Sequence, residues 1–380
     1  MPRPDRANAA MGIRFPGRLR RPSEHDPAPI RVAILTGGSS GIGLGAALRF
    51  AAEGWRVGLI SRSAENLSAA ARLIRARVPG AVVASASADV SDADALASAA
   101  RTLAATLGPI DCWVNAAGNG VYGRFTDVPD AEYRRVTDVT YHGTVNGTRV
   151  ALAHMGPRDS GTIVNVCSAV VIHGVPLMSS YSGAKAAVRA FGQSLQLELK
   201  LQKSRVRVST LLPPAVNTPF FDHAVSHMGF PARPVPPVYC TDVAARGVLL
   251  CAAGRGERRL TGVVSAYALI ARISPALAAY LVGKSEFGSE IPRDDAARQP
   301  VPTLFEPRTE AVSPDGAFTR RARGWSSQLI LLGLLALLRG RAVRQPRRAA
   351  PLPPEPARAA PGRARAGSGA RERASSDSSR

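Results

Sequence analysis

The chain alternates short, almost wholly apolar runs with longer runs of helical periodicity, and this alternation predicts its elements. The apolar runs have strand length and predict strands over Ile30–Thr36, Arg56–Ser61, Ala81–Ser87, Asp111–Asn115, Thr162–Cys167, Val206–Leu211 and, more weakly, near Leu260–Ser265. The longer runs predict helices over Gly43–Glu53, Glu65–Arg77, Asp92–Leu107, Asp130–His154, Ser180–Lys203 and Thr241–Ala253. Strands that alternate with helices form a parallel sheet covered on both faces. The fold class is therefore predicted to be α/β, a doubly wound parallel sheet of about seven strands.

Shifts in composition divide the chain into five parts. Residues 1–29 are rich in Arg and Pro, contain no apolar run typical of a secretory signal, and predict a disordered basic arm. Residues 30–284 form the predicted α/β domain, and 285–323, rich in Pro and charge, form a linker or a wrapping arm. A short apolar helix follows over 324–338, and 339–380 is an Arg-rich tail predicted to be disordered.

The formal net charge of +21 would by itself favour a nucleic acid or an anionic membrane as partner. Much of this charge lies in the tails, however, and no nucleic-acid motif or aromatic interleaving accompanies it, so specific nucleic-acid binding is not predicted. The four cysteines have no metal-ligand spacing, which argues against a zinc site or a disulfide framework and favours a reducing, cytoplasmic compartment.

The apolar segment Trp325–Leu338 leaves two interpretations open. Its ten-residue apolar part, Leu329–Leu338, would be about 15 Å long as a helix, roughly half of the hydrocarbon core of a bilayer. With arginines on both flanks, it could lie in an anionic membrane surface and anchor the domain there from the cytoplasmic side. Alternatively, the helix docks on the enzyme or on a second subunit.

A glycine-rich turn directly after the first strand predicts a phosphate-binding site. The sequence TGGSSGIG stands between an apolar strand and a helical pattern, so backbone N–H groups and a helix N-terminus would face an anion. The candidate cofactor-binding residues of the turn are Gly37, Ser39, Ser40, Gly41, Ile42 and Gly43.

Residues after the next three strands extend this candidate cofactor site. Arg62 ends the second strand, where an acidic residue would bind the ribose hydroxyl of NAD, whereas an arginine pairs with the 2′-phosphate of NADP. Asp89 follows the third strand and can bond the adenine amino group. The small residues Ala116 and Gly118 after the fourth strand would let a cofactor lie close to the backbone. The predicted cofactor is therefore NADP(H).

Tyr181 and Lys185 are the strongest candidates for catalysis. They lie four residues apart in a predicted helix and so share one face. A fixed ammonium beside a tyrosine favours the phenolate and lowers the phenol's pKa, which allows it to exchange a proton while hydride moves. Ser168 ends a buried strand 13 residues before the tyrosine, and its hydroxyl could hold a substrate oxygen.

Taken in order, these motifs resemble the common form of the short-chain dehydrogenase/reductase family. The resemblance covers Ile30 to Thr218 by motif and extends more loosely to about Lys284. It implies one Rossmann-like domain, homo-oligomeric assembly, and hydride exchange between nicotinamide and a small-molecule carbonyl or alcohol. It also implies that Tyr181 is the general acid/base, that Lys185 binds ribose and tunes the tyrosine, and that Ser168 orients the substrate. The positions that match the family's remaining cofactor contacts are Asp89, Val90, Asn115, Val216 and Thr218.

The sequence departs from the family pattern at a position that is catalytic in the family. Where the family has a catalytic asparagine on the fourth helix, this chain has Thr140, which could anchor a relay water or bend the helix. Residues 219–236 fall at the family's substrate lid, and Phe220 and Phe221 there favour a lipophilic substrate. A cofactor-binding regulator or scaffold with the same fold and little turnover is the alternative, against which the retained Ser, Tyr and Lys argue.

Overall fold

The computed structural model describes residues 30–254, 258–260, 264–287, 302–309 and 312–323. Its main sheet is formed by seven parallel strands in the order β3-β2-β1-β4-β6-β7-β9. These strands are β1 (Val32–Thr36), β2 (Arg56–Ser61), β3 (Val83–Ser87), β4 (Cys112–Asn115), β6 (Thr162–Val166), β7 (Arg207–Leu212) and β9 (Arg258–Leu260). The predicted α/β sheet of about seven parallel strands is thus confirmed.

Helices cover both faces of the sheet, as the apolar strands predicted. They are α1 (Gly41–Ala52), α2 (Ala64–Arg77), α3 (Ala93–Leu107), α4 (Asp130–Thr137), α5 (Gly143–Met155), α6 (Ser179–Leu201), α7 (Phe220–His223), α8 (Thr241–Ala252), α9 (Val264–Ile273) and α10 (Pro275–Phe287). The core therefore has two parts, one under α1, α2 and α8, the other under α3, α5 and α6. Complete burial of an apolar side chain such as Leu35 or Phe50 contributes roughly 1.5–3 kcal/mol to folding.

The strand order reverses between β1 and β4, and this reversal places the site. Chain connections leave β1 toward β2 on one side and leave β4 toward β6 on the other, which opens a crevice at the carboxyl ends of the strands. The glycine turn follows β1 and residues 116–118 follow β4, so both predicted cofactor segments border this crevice.

One predicted helix is interrupted. The periodic run Asp130–His154 forms α4 and α5, separated by a π-helical turn over Asp138–His142. The Thr144 hydroxyl donates a hydrogen bond of 2.8 Å to the Thr140 carbonyl, one turn back, and such side-chain bonds compete with the helical ladder. Periodicity could not show this interruption, because a π turn adds a residue without ending the helix.

The seventh strand lies earlier than predicted. It spans Arg258–Leu260 and pairs in parallel with β7, whereas the predicted region near Leu260–Ser265 runs into α9. A separate two-stranded parallel sheet, β5 (Val121–Tyr122) with β8 (Val225–Ser226), was not predicted, because two-residue strands carry too little pattern.

The region predicted as a linker or wrapping arm returns to the domain wherever the structure describes it. Residues 302–309 contact α2 and the end of β2, and 312–323 contact the glycine turn and the segment before α8. The domain also extends slightly past Lys284, since α10 ends at Phe287. The basic arm, residues 324–338 and the Arg-rich tail lie outside the described residues. Among the described helices, none is both long and apolar enough to cross a membrane.

Candidate active site

The glycine turn after β1 has the geometry of a phosphate cradle. Gly37 and Gly41 have φ values of +64° and +53°, the left-handed region that favours glycine. A Cβ on Gly43 would lie 2.2 Å from the Gly37 carbonyl oxygen, so a side chain there would disrupt the turn. Since α1 begins at Gly41, its N-terminus opens into the crevice, and all six predicted residues of the turn line the cavity.

The segment after β4 forms one wall of the cavity and brings all but one of its predicted residues there. Ala116 and Gly118 line the cavity, together with Asn119, but Asn115 does not. The Asn115 side chain accepts a hydrogen bond from the Trp113 indole at 2.7 Å and donates to Asn165 Oδ1 at 2.9 Å, inside the core. Asn115 therefore ties β4 to β6 and does not present its amide to a cofactor.

Ser168, Tyr181 and Lys185 meet in the same cavity. Tyr181 lies in the first turn of α6 and Lys185 one turn later, with Nζ 5.7 Å from the centre of the phenol ring. The Lys185 ammonium is almost fully buried and donates a hydrogen bond of 2.7 Å to the Val166 carbonyl at the end of β6. That bond fixes the lysine between the tyrosine and the sheet.

Burial governs the acid–base properties of this pair. It raises the pKa of Tyr181, a nearby Cys167 thiol raises it further, and a hydrogen bond with the Ser168 hydroxyl opposes the shift. Burial also lowers the pKa of Lys185. The pKa of Tyr181 in the protein alone is therefore shifted upward, opposite to the direction expected from the lysine, and desolvation of the phenol is the largest cause.

Thr140 lies in the π-helical turn and is completely buried. Its hydroxyl lies 3.5 Å from the Asn119 carbonyl. A Cβ built on Gly118 would lie 3.7 Å from the Thr140 hydroxyl and 3.6 Å from Lys185 Nζ, so both groups approach the same glycine. The π turn thus places the Thr140 hydroxyl near Gly118, on the same side as Lys185, although Thr140 is not among the residues that line the cavity.

The opposite end of the cavity carries Arg62 and Asp89, and Arg135 reaches Asp89 from outside the cavity lining. Arg62 and Asp89 both line the cavity, as predicted. The Asp89 carboxylate pairs with Arg135 of α4 and accepts hydrogen bonds from the Ser91 hydroxyl and backbone N–H. Burial raises the pKa of Asp89, but the bonds from Arg135 and Ser91 outweigh it, so the pKa is lowered and the group is an anion. Arg135 was not predicted, since one arginine in a surface helix carries no motif.

The cavity between these ends has a volume of about 570 Å³, within the range of cofactor and ligand sites. Val90, Val216 and Thr218 line it, as the resemblance implied. Three buried polar atoms along its wall have no hydrogen-bond partner among the described residues, namely Ser61 Oγ, Asn119 Oδ1 and Tyr267 OH. Buried polar groups are normally paired, so these atoms are available to a polar ligand.

Aromatic side chains close the cavity over the tyrosine. Phe220 packs against Tyr181 with ring centres 5.3 Å apart, and Phe221 packs against Phe220 at the same separation. Phe318, from the returning C-terminal segment, contacts Phe221. The lid that carries these rings is joined to the domain by β5–β8 and by the pair between His227 and Glu132 at 2.7 Å. The substrate end of the cavity is therefore apolar.

The known proteins that this chain resembles are dehydrogenases and other oxidoreductases. The short chain dehydrogenase family matches residues 31–229. An uncharacterized oxidoreductase of Mycobacterium bovis is 32% identical over 262 residues, which cover 67% of this chain and 73% of that protein. An NADP-dependent (R)-specific alcohol dehydrogenase of Lentilactobacillus kefiri is 33% identical over 193 residues, or 50% of this chain and 75% of the relative.

A solved structure is also similar. An actinorhodin polyketide ketoreductase with NADPH has a TM-score of 0.54 and 27% identity, and the match covers 61% of this chain and 95% of the ketoreductase. With its doubly wound sheet and its Ser–Tyr–Lys site, the protein is an oxidoreductase of the Rossmann-like class. It belongs to the short-chain dehydrogenase family.

Proposed function

We propose that this protein is an NADP(H)-dependent oxidoreductase that exchanges hydride between nicotinamide and a lipophilic carbonyl or alcohol. One observation carries the proposal. A single cavity joins a glycine phosphate cradle and Arg62 at one end to Ser168, Tyr181 and Lys185 at the other. A regulator without turnover would have no need of a buried lysine held beside a tyrosine and a serine.

The residues present fit a dinucleotide with a 2′-phosphate. The glycine turn and the N-terminus of α1 supply N–H groups for the pyrophosphate, and Arg62 supplies a cation for the 2′-phosphate. Asn119 Oδ1 and Ser61 Oγ supply buried polar atoms without partners in the described residues. The names of the Lentilactobacillus alcohol dehydrogenase and the ketoreductase structure, one NADP-dependent and the other with NADPH, support the choice of NADP(H).

The cofactor, when bound, supplies a hydride at the nicotinamide ring. The protein itself supplies the proton and holds the substrate oxygen in position. During reduction, the Tyr181 phenol donates its proton to the substrate oxygen, and the Ser168 hydroxyl holds that oxygen by a hydrogen bond. Lys185, bound to the Val166 carbonyl, stabilises the negative charge that forms on Tyr181 when the proton leaves.

The substrate is proposed to be lipophilic because of what surrounds the tyrosine. A cluster of apolar side chains packs around it, namely Tyr122, Val175, Met178, Phe220, Phe221, Ala224, Met228, Ala232 and Phe318. Such a surface discriminates weakly between apolar groups of similar size, so several lipophilic carbonyl compounds should be accepted.

A direct test is NADPH consumption by the purified protein with ketones, aldehydes, sterols and fatty-chain carbonyl compounds. The expected result is turnover with the lipophilic members and tighter binding of NADPH than of NADH. Arg62→Asp should erase or reverse that preference, while Arg56→Asp, a change to an arginine outside the cavity, should leave it intact. Tighter binding of NADH by the wild-type protein would contradict the assignment of the cofactor.

A further inference from the structure

A segment near the C-terminal end of the described chain occupies the binding groups at the adenosine end of the cavity. We call residues 302–309 the strap. The Arg62 guanidinium donates hydrogen bonds to three successive strap carbonyls, those of Thr303, Leu304 and Phe305, at 2.5, 3.3 and 2.8 Å. These three hydrogen-bond acceptors are neutral backbone oxygens of the strap, while the carboxylates of Asp89 and Glu306 act on the guanidinium through their charge.

Other contacts hold the strap against both sides of the cavity. Arg135 Nε donates to the Leu304 carbonyl at 3.1 Å, and Asn66 Nδ2 donates to the Arg308 carbonyl at 2.7 Å. The Leu304 side chain is only 3% exposed and belongs to an apolar cluster with Val136. The strap is therefore held by hydrogen bonds from the domain and by one buried side chain.

The chain beyond the strap reaches the phosphate cradle as well. The Gly41 N–H, at the N-terminus of α1, donates to the Ser313 carbonyl at 3.2 Å. The two donors assigned above to the 2′-phosphate and the pyrophosphate, Arg62 and Gly41, are therefore both bonded to carbonyl oxygens of residues 303–313. Phosphate oxygens and these carbonyls cannot occupy the same donors at the same time.

We propose that the strap is an internal competitor of the cofactor, which must be displaced from Arg62 before NADP(H) binds. The proposal rests on the function proposed above. In the closed form, carbonyl oxygens satisfy the guanidinium. In the open form, a phosphate replaces them with stronger, charge-assisted bonds. The apparent affinity for the cofactor is then the intrinsic affinity reduced by the fraction of molecules whose strap is open.

Variants that loosen the strap should differ in their effect from variants of Arg62. Loosening the strap raises the open fraction, so it should tighten the binding of NADPH, whose 2′-phosphate takes the place of the strap on Arg62. NADH has no group for Arg62, so its binding should change less. Arg62→Asp should instead weaken the binding of NADPH. Leu304→Ser removes the buried anchor, and Asn66→Ala removes the side-chain donor to Arg308 from the domain side. Phe305→Ala is the matched control, because this side chain is 51% exposed and its backbone carbonyl is unchanged.

The experiment is titration of the full-length protein and these variants with NADPH and NADH, followed by fluorescence. Leu304→Ser and Asn66→Ala should each bind NADPH more tightly, on the order of tenfold for Leu304→Ser, with a smaller change for NADH, and Phe305→Ala should bind as wild type does. Hydrogen exchange on the wild-type protein supplies a second readout. The amides of 302–309 should exchange faster when NADPH is bound.

Three results would overturn the proposal. Weaker cofactor binding by Leu304→Ser and Asn66→Ala, or slower exchange of 302–309 with NADPH, would show that the strap closes over the cofactor as part of its site. Unchanged affinities in both variants would show that the strap does not compete, and would leave the proposed function standing. No binding of either cofactor by any form would overturn the proposed function and the strap proposal together.

Discussion

At the scale of single residues, the proton chemistry depends on where Lys185 is held. Its ammonium is bound to the Val166 carbonyl and lies 5.7 Å from the centre of the Tyr181 ring, and it forms no ion pair with a carboxylate of the described residues. Burial keeps the phenol protonated in the protein alone by raising its pKa. The resting state therefore suits donation of a proton to a carbonyl.

The raised pKa of Tyr181 predicts different pH profiles for the two directions of the reaction. Carbonyl reduction needs the protonated phenol, which persists through neutral pH, so its rate should be nearly flat from weakly acidic to neutral pH. Alcohol oxidation needs the phenolate, so its rate should rise by about tenfold per pH unit below the pKa. Steady-state rates at saturating cofactor test this. An oxidation rate independent of pH would contradict Tyr181 as the titrating base.

Thr140 is expected to act by positioning, through its hydroxyl near Gly118 and the Asn119 carbonyl. Thr140→Val keeps the shape and removes the hydroxyl, so it should lower kcat roughly tenfold, less than a full acid–base contribution of about 10²–10⁴, with NADPH affinity unchanged. Thr140→Ser keeps the hydroxyl and should retain most of the rate. Equal kcat for the Val variant and the wild type would remove Thr140 from the proton relay.

The location of a site residue could be predicted from the sequence where it follows from the order of strands and helices in the parallel sheet. Ser168, Tyr181 and Lys185 follow or face strand ends, so their meeting follows from a parallel sheet. Side-chain direction was not predictable in the same way. Asn115 turns into the core because Asn165 and Trp113 offer partners there, and the direction of the Tyr181 shift depends on its burial.

At the scale of elements, the turn between β1 and α1 is the least tolerant part of the site. Its shape depends on the close approach of Gly43 to the Gly37 carbonyl, which leaves no space for a Cβ. The π turn between α4 and α5 is the second special element, since it carries Thr140 toward the lysine. Both elements depart from regular geometry where they face the cavity.

Gly43→Ala should therefore abolish NADPH binding and lower the unfolding temperature, because an added methyl group meets backbone and overpacking costs typically about 1–3 kcal/mol. Gly183→Ala is the matched control. It lies on an exposed position of α6 with open space around it, and the change should be neutral or stabilise the helix by up to about 1 kcal/mol. Calorimetric titration and thermal unfolding provide the measurements. Unchanged NADPH affinity in Gly43→Ala would contradict the cradle.

The elements themselves were predictable because strands covered on both faces are apolar and the helices between them are periodic. Most observed boundaries lie within two residues of those predicted, as for β2 (Arg56–Ser61) and α8 (Thr241–Ala252). The π turn, the short β5–β8 sheet and the position of β9 were not predictable, since each depends on tertiary contacts and spans too few residues to show a period.

At the scale of the whole molecule, residues 302–309 and 312–323 belong to the folded domain. Leu304 is buried, Phe318 packs on the lid, and the Thr241 hydroxyl bonds the Pro314 carbonyl at 2.9 Å. The composition of this stretch, rich in Pro and charge, left a linker and a wrapping arm as alternatives. Wherever it is described, the structure favours the arm.

A chain that ends after Arg323 keeps every contact described above and serves as the reference. A chain that ends at residue 301 loses the buried Leu304 and the contacts of Phe318. Burial of Leu304 contributes roughly 1.5–3 kcal/mol and the partly buried Phe318 contributes less, while domains of about 150–250 residues lose about 2–4 °C per kcal/mol. The unfolding temperature should therefore fall by several degrees. Equal temperatures for the two truncated chains would contradict the arm.

The central claim is hydride transfer from nicotinamide to a carbonyl carbon with Tyr181 as the proton donor. The most direct measurement uses NADPH deuterated at the transferred position of the nicotinamide ring, a ketone that supports turnover, and mass spectrometry of the alcohol formed. The wild-type protein should place deuterium on the carbinol carbon, and Tyr181→Phe should bind NADPH normally but form almost no product. An alcohol without deuterium, or a Tyr181→Phe rate above about a tenth of the wild-type rate, would contradict the account.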